Sequence, residues 1–129
     1  MRLIDRVTKA ALMAGFGRRS TALLETIGRK SGIPRTTPVT NGLDGDVFWI
    51  VTEHGHSANY VRNIEANPRV RVRAGRIWRT GTARIMDEDP ETRLGKIVAL
   101  NPRARANARI VRMTGTENLV IRVDLEPTR

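Results

Sequence analysis

Cysteine is absent from all 129 residues, which excludes disulfides, thiolate metal sites, iron–sulfur clusters and cysteine nucleophiles and suits a reducing, cytoplasmic compartment. Histidine occurs only twice, so His54 and His56 fall short of the ligand set that a zinc site needs, and no metal is expected. Aromatic residues make up 4% of the chain, too few to interleave the basic runs "RVRVR" and "RARANAR" with stacking platforms, so these runs read as solvated faces and not as a specific nucleic-acid surface. Acidic residues are the scarcer charge, 13 against 23 Lys plus Arg. The resulting formal charge of +10 attracts polyanions, anionic lipid headgroups or phosphorylated small molecules, without choosing among them. Long apolar runs are missing too, and nothing reaches the roughly 20 residues of a membrane-spanning helix.

What is present fits one domain over residues 1–129. Leu3, Ile4, Val7, Ala11 and Ala14 recur at helical spacing, predicting an amphipathic helix over about residues 3–15. Asp5, Arg6 and Lys9 interrupt any signal-peptide core, so the segment is expected to be retained. Two roles suit it: packing on the domain, or lying as a basic helix on an anionic membrane surface. From Thr21 the signals change to short β-type runs separated by turn residues, with "DG" at Asp44–Gly45 marking a hairpin. In "RVRVRAGRIWRTGTARI" alternation sends Val70, Val72, Ile77 and Ala83 toward a core and Arg69, Arg71 and Arg73 outward, with Gly75 in the turn. Helical pieces are predicted in "NYVRNIEANP", from Glu91 to Leu100 behind an acidic cap and Pro90, and from Pro102 to Met113. "NLVIRVDLEP" closes the chain as a strand. The fold class is therefore mainly β (α+β), with five or six antiparallel strands in a small barrel or strongly curled sheet.

Two stretches carry chemistry. In "GRKSGIPR" a strand ends at Gly28 and turns through Arg29, Lys30, Ser31 and Gly32, with Pro34 stiffening the exit toward Arg35. Backbone N–H groups, a hydroxyl and several cations on one turn can cradle a phosphate, although a solvated basic turn has the same composition. The spacing is not that of a Walker loop. The second stretch, "VTEHGHSANYVRNIEANP", runs from a strand into a helix and holds both histidines and the only tyrosine. Strand-to-helix loops commonly meet ligands, because the helix start offers free N–H groups. Ser57 beside either histidine lacks the surroundings of a nucleophile elbow. Asn59 and Asn63, four apart, can cap or cross-link their helix.

Together "LETIGRKSGIPRTTPV", "DGDVFWIVTEHG" and "YVRNIEANPRVRVR" resemble the deazaflavin (F420)-dependent nitroreductase family of the split β-barrel flavin and deazaflavin oxidoreductases, over about residues 23–83. The resemblance implies a split β-barrel of about six strands that binds coenzyme F420. It also implies hydride transfer to a small electron-poor acceptor such as a quinone, enone or nitro compound. The matching cofactor positions are Arg29, Lys30, Ser31, Arg35 and Pro38 for the phosphate and acidic tail, and Thr52, His54, Gly55, His56, Tyr60 and Asn63 around the ring. No catalytic nucleophile is needed, since the coenzyme carries the reaction. "NPRARANARIVRMTG" offers none of the tyrosines that the family's nitroreductases use near substrate, so nitro reduction itself is not carried over. A homodimer is implied as well. The alternatives are an FMN-binding relative, or a non-catalytic module holding a lipid or another anionic ligand.

Overall fold

The computed structural model describes residues 20–127. The helix expected at about residues 3–15, with its membrane role, lies outside the described residues.

Alternation builds the first hairpin. In β1 (Thr21–Ile27) Ala22, Leu24 and Thr26 are buried while their neighbours are half-exposed, and β1 pairs antiparallel with β2 (Pro34–Thr40), Ile27 opposite Pro34. β2 is an edge strand, which accommodates Pro34 and Pro38 because half of its N–H groups need no ladder partner. β3 (Leu43–Asp44) and β4 (Val47–Val51) form the hairpin expected at Asp44–Gly45. Its two-residue loop opens on Gly45 at φ 61°, a conformation that glycine adopts without strain.

α1 (Asn59–Ala66) follows, and Pro68 prevents its continuation into β5 (Arg69–Arg73). β5 and β6 (Trp78–Met86) pair from Arg73 opposite Trp78, with Gly75 in the turn as expected. This register overturns one expectation, since Ile77 falls inside the four-residue loop and is 67% exposed, whereas Val70, Val72 and Ala83 are buried. α2 (Pro90–Leu100) starts behind Asp89, whose carboxylate accepts Thr92 N–H at 3.0 Å and the Thr92 hydroxyl at 2.7 Å. α3 (Arg105–Thr114) and β7 (Val120–Leu125) complete the chain.

The seven strands form one antiparallel sheet in the order β2-β1-β5-β6-β7-β4-β3, curled into a half-barrel. The strand beyond the six expected is β3, only two residues long. Leu24, Phe48, Ile50, Val72, Ile121 and Val123 fill the concave side, together with Val61 and Ile64 of α1. A second core lies on the convex side, where Trp49, Val51 and Val120 meet Leu94, Ile97, Ala108 and Val111 of α2 and α3. β4 is therefore buried on both faces, which is why "VFWIV" is continuously apolar. Each fully buried Leu, Ile or Phe contributes about 1.5–3 kcal/mol, enough for these two cores to hold the curl. Among the described residues no helix is long and apolar enough to cross a membrane.

A cationic cleft at the end of the curled sheet

Gly28 ends β1, and the turn after it is closed by its own backbone: Gly28 N–H donates to Ile33 O at 2.9 Å and Gly32 N–H to Gly28 O at 2.8 Å. Ser31 Oγ accepts Ile33 N–H at 3.1 Å. A Cβ at Gly28 would stand 2.6 Å from that hydroxyl, so a larger residue there would push Ser31 Oγ off Ile33 N–H. Three of the N–H groups that composition offered to a ligand thus serve the turn or its approach: those of Gly28, Gly32 and Ile33.

A fourth is taken from across the fold. Asn63 is 3% exposed, and its carboxamide oxygen accepts both Arg29 N–H at 3.1 Å and Arg29 Nη1 at 2.9 Å. Its amide nitrogen donates to Thr26 Oγ1 at 3.1 Å, inside the barrel wall. Asn59 Oδ1 receives Arg29 Nη2 at 3.5 Å. The asparagines four apart on α1 hold the turn rather than cap their own helix, whose N-cap is Ala58 with no side-chain bond.

Between this turn, β2 and α1 lies a cleft of about 330 Å³. Arg29, Lys30, Ser31, Arg35, Tyr60 and Asn63 of the predicted set line it. No lining residue is acidic, and the side chains of Lys30 and Arg35 have no hydrogen-bond or ion-pair partner among the described residues. Positive potential therefore accumulates along this lining. Tyr60 is half-buried; burial first, and then the Glu53 carboxylate, push its phenol well above the usual range. The group stays neutral and can donate a hydrogen bond at any physiological pH.

The other predicted residues stand apart from the cleft lining. Pro38 sits in β2 opposite Leu23. The Thr52 hydroxyl is fully engaged in the fold, accepting Gly55 N–H at 3.1 Å and Leu119 N–H at 2.9 Å and donating to Glu117 O at 3.2 Å. His54 Nδ1 is 3.2 Å from Thr116 Oγ1, and His56 Nδ1 is 3.2 Å from Glu65 Oε2. Gly55 is buried at φ 52°. These four residues form the loop that leads into α1.

Sequence reasoning missed Thr26, Thr36 and Thr37 in the cleft wall. Thr26 had a signal, since alternation places it on the inner face after Ala22 and Leu24, a polar group at a core position. The hold that residues 114–119 have on the loop after β4 had none, because more than 60 residues separate the two segments.

A sequence profile of the F420H(2)-dependent quinone reductase family matches residues 3–126. An F420H(2)-dependent quinone reductase of Mycobacterium tuberculosis is 37% identical over 90 residues, which cover 66% of this chain and 60% of that protein, so the match spans less than two thirds of the relative's length. Among solved structures, an F420H2-dependent reductase superposes with a TM-score of 0.58 at 24% identity, covering 81% of this chain and 94% of that one. A chain solved as a domain-swapped dimer superposes with a TM-score of 0.60 at 21% identity, covering 92% and 96%. At these identities the two structures speak for the fold, while the profile covers nearly the whole sequence. The cationic cleft and the curled sheet are thus those of a chain that belongs to the F420H(2)-dependent quinone reductase family.

Proposed function

We propose that this chain is an F420-dependent oxidoreductase that reduces a small electron-poor acceptor such as a quinone or enone. The observation that carries this reading is a cleft that, among the described residues, has no acidic lining and leaves two cations, Lys30 and Arg35, without a partner. The residues present fit the coenzyme: a phosphate and an acidic tail need charge-assisted donors, and the cleft offers Arg29, Lys30 and the Ser31 hydroxyl on one turn and Arg35 at the start of β2. When bound, the deazaflavin supplies the hydride. Lys30 and Arg35 hold the anionic end, and Arg29, already oriented by Asn63, adds directional N–H groups. Tyr60 keeps its proton and offers a donor on the α1 side of the cleft. The loop of Thr52, His54, Gly55 and His56, with Pro38 on β2, flanks the site. A homodimer belongs to the same proposal, supported by the neighbour solved as a domain-swapped dimer, and sedimentation as a monomer would overturn that part. A cytoplasmic site of action suits a chain without cysteine.

Fluorescence titration with F420 at low salt tests the reading. Lys30→Ala and Arg35→Ala are each expected to weaken binding by about tenfold or more, the worth of one hydrogen bond to a charged group, and to flatten its salt dependence. No binding by the unaltered protein would sink the proposal. Tighter binding of FMN in a parallel titration would move it to the flavin reading.

A further inference from the structure

The geometry points to Glu117 as a positioning residue for the cleft, acting through the loop between β4 and α1. This rests on the coenzyme reading for what the cleft holds.

The segment between α3 and β7 is stitched to that loop. Thr116 N–H and Glu117 N–H both donate to Glu53 O, at 2.7 and 3.1 Å, and Asn118 Nδ2 donates to Thr52 O at 2.6 Å. His54 and Glu117 form an isolated parallel bridge. These contacts fix the loop only as far as His54. Beyond it Gly55 turns at φ 52°, where the chain has its greatest freedom.

Besides Thr52, Glu117 is a side chain that reaches past that point. Its Oε1 accepts His56 N–H at 3.0 Å, and its carboxylate packs so closely on Gly55 that a Cβ there would overlap it. Thr52 Oγ1 secures Gly55 N–H from the other side, and at 0% exposure cannot turn away. α1 starts at Asn59, three residues beyond His56 and behind Ala58, with no capping side chain of its own. Its entry is therefore set by what holds Gly55 and His56. α1 carries Asn59, Tyr60 and Asn63 into the cleft, so a shift of its first turn moves the Arg29 anchor and the phenol together. Glu117 itself is not among the residues that line the cleft.

Three variants separate reach from charge. Glu117→Gln keeps the acceptor at full length, Glu117→Asp keeps the charge on a shorter arm, and Glu117→Ala keeps neither. Glu117 is exposed and outside both cores, so all three are expected to fold. Amide hydrogen exchange at His56 is read in the coenzyme-free protein, and F420 affinity by fluorescence. The Ala and Asp variants are expected to speed His56 exchange and weaken binding by about tenfold each, the loss of one hydrogen bond, while Glu117→Gln stays within about twofold of the parent in both. Unchanged exchange in Glu117→Ala overturns the inference. So does faster exchange with unchanged affinity, or equal losses in the Gln and Ala variants, which would assign the effect to charge. If the parent protein binds no F420, the coenzyme reading fails separately, and the exchange results still judge whether Glu117 fixes the loop.

Discussion

Asn63→Ala removes a side chain that ties the cationic turn both to α1 and to the barrel wall. Three hydrogen bonds go with it: from Asn63 Nδ2 to Thr26 Oγ1, and from Arg29 N–H and Nη1 to Asn63 Oδ1. Two are neutral and worth about 1 kcal/mol each, and a hydrogen bond from a guanidinium is worth about 1.5–3 kcal/mol. Arg29 borders the open cleft, so water replaces much of that last bond and it is discounted to about 0.5–1 kcal/mol. The Thr26 hydroxyl, at 0% exposure, has no such replacement. The sum is about 2.5–3 kcal/mol, which lowers the melting temperature by about 10 °C for a domain of this size. Circular dichroism melting measures that, and F420 titration on the folded variant is expected to show about tenfold weaker binding, because a loosened guanidinium must be ordered again on binding. A variant that melts within about 2 °C of the parent and binds equally well would refute the reasoning, since neither the buried bond nor the orientation of Arg29 would then depend on Asn63.

Tyr60 is the only tyrosine, so the phenolate absorbance reports it alone in an alkaline titration. Its raised value predicts no ionisation around the ordinary 10.0 while the fold persists. The unfolded chain then binds fewer protons than the folded one as the pH rises past that value, so stability falls with pH there and Tyr60→Phe should remove the fall. A phenolate appearing in the folded protein near 10.0 would contradict the burial argument. At the acid end, Glu88 is held below its ordinary 4.5 first by its hydrogen bond to Arg93, whose Nε and Nη2 reach the carboxylate at 2.8 and 3.1 Å. A lowered carboxyl stabilises fully above its unfolded value and loses that contribution as the pH falls through the folded one. Urea melts of Glu88→Gln should therefore show a shallower loss of stability below about 4.5, and an unchanged acid slope would refute the pairing.

Regular patterns were the legible part. Alternation in "TALLETI", "RVRVR" and "VIRVDL" marks which residues face inward, because a strand has period two and one face meets the core. Pro90 behind Asp89 marks the start of α2 through its fixed φ and missing donor. Ile77 was misread, because alternation continues through a hairpin loop without indicating where pairing stops. The double burial of β4 had no local mark, because the partners for its outer face, α2 and α3, lie far along the chain.

The sequence by itself determined the chemistry available: a turn rich in cations and glycine, a chain without thiols, and a sheet of short alternating strands. These are local properties, written in residue type and spacing. Only the tertiary structure decided which cations are free. Arg29 is anchored by Asn63, 34 positions away, while Lys30 and Arg35 have no partner among the described residues. Likewise the loop after β4 takes its shape from Glu117, 61 positions beyond His56. Such pairings depend on how β7 and α3 return to β4, and no local pattern encodes the meeting of two segments that close a long loop.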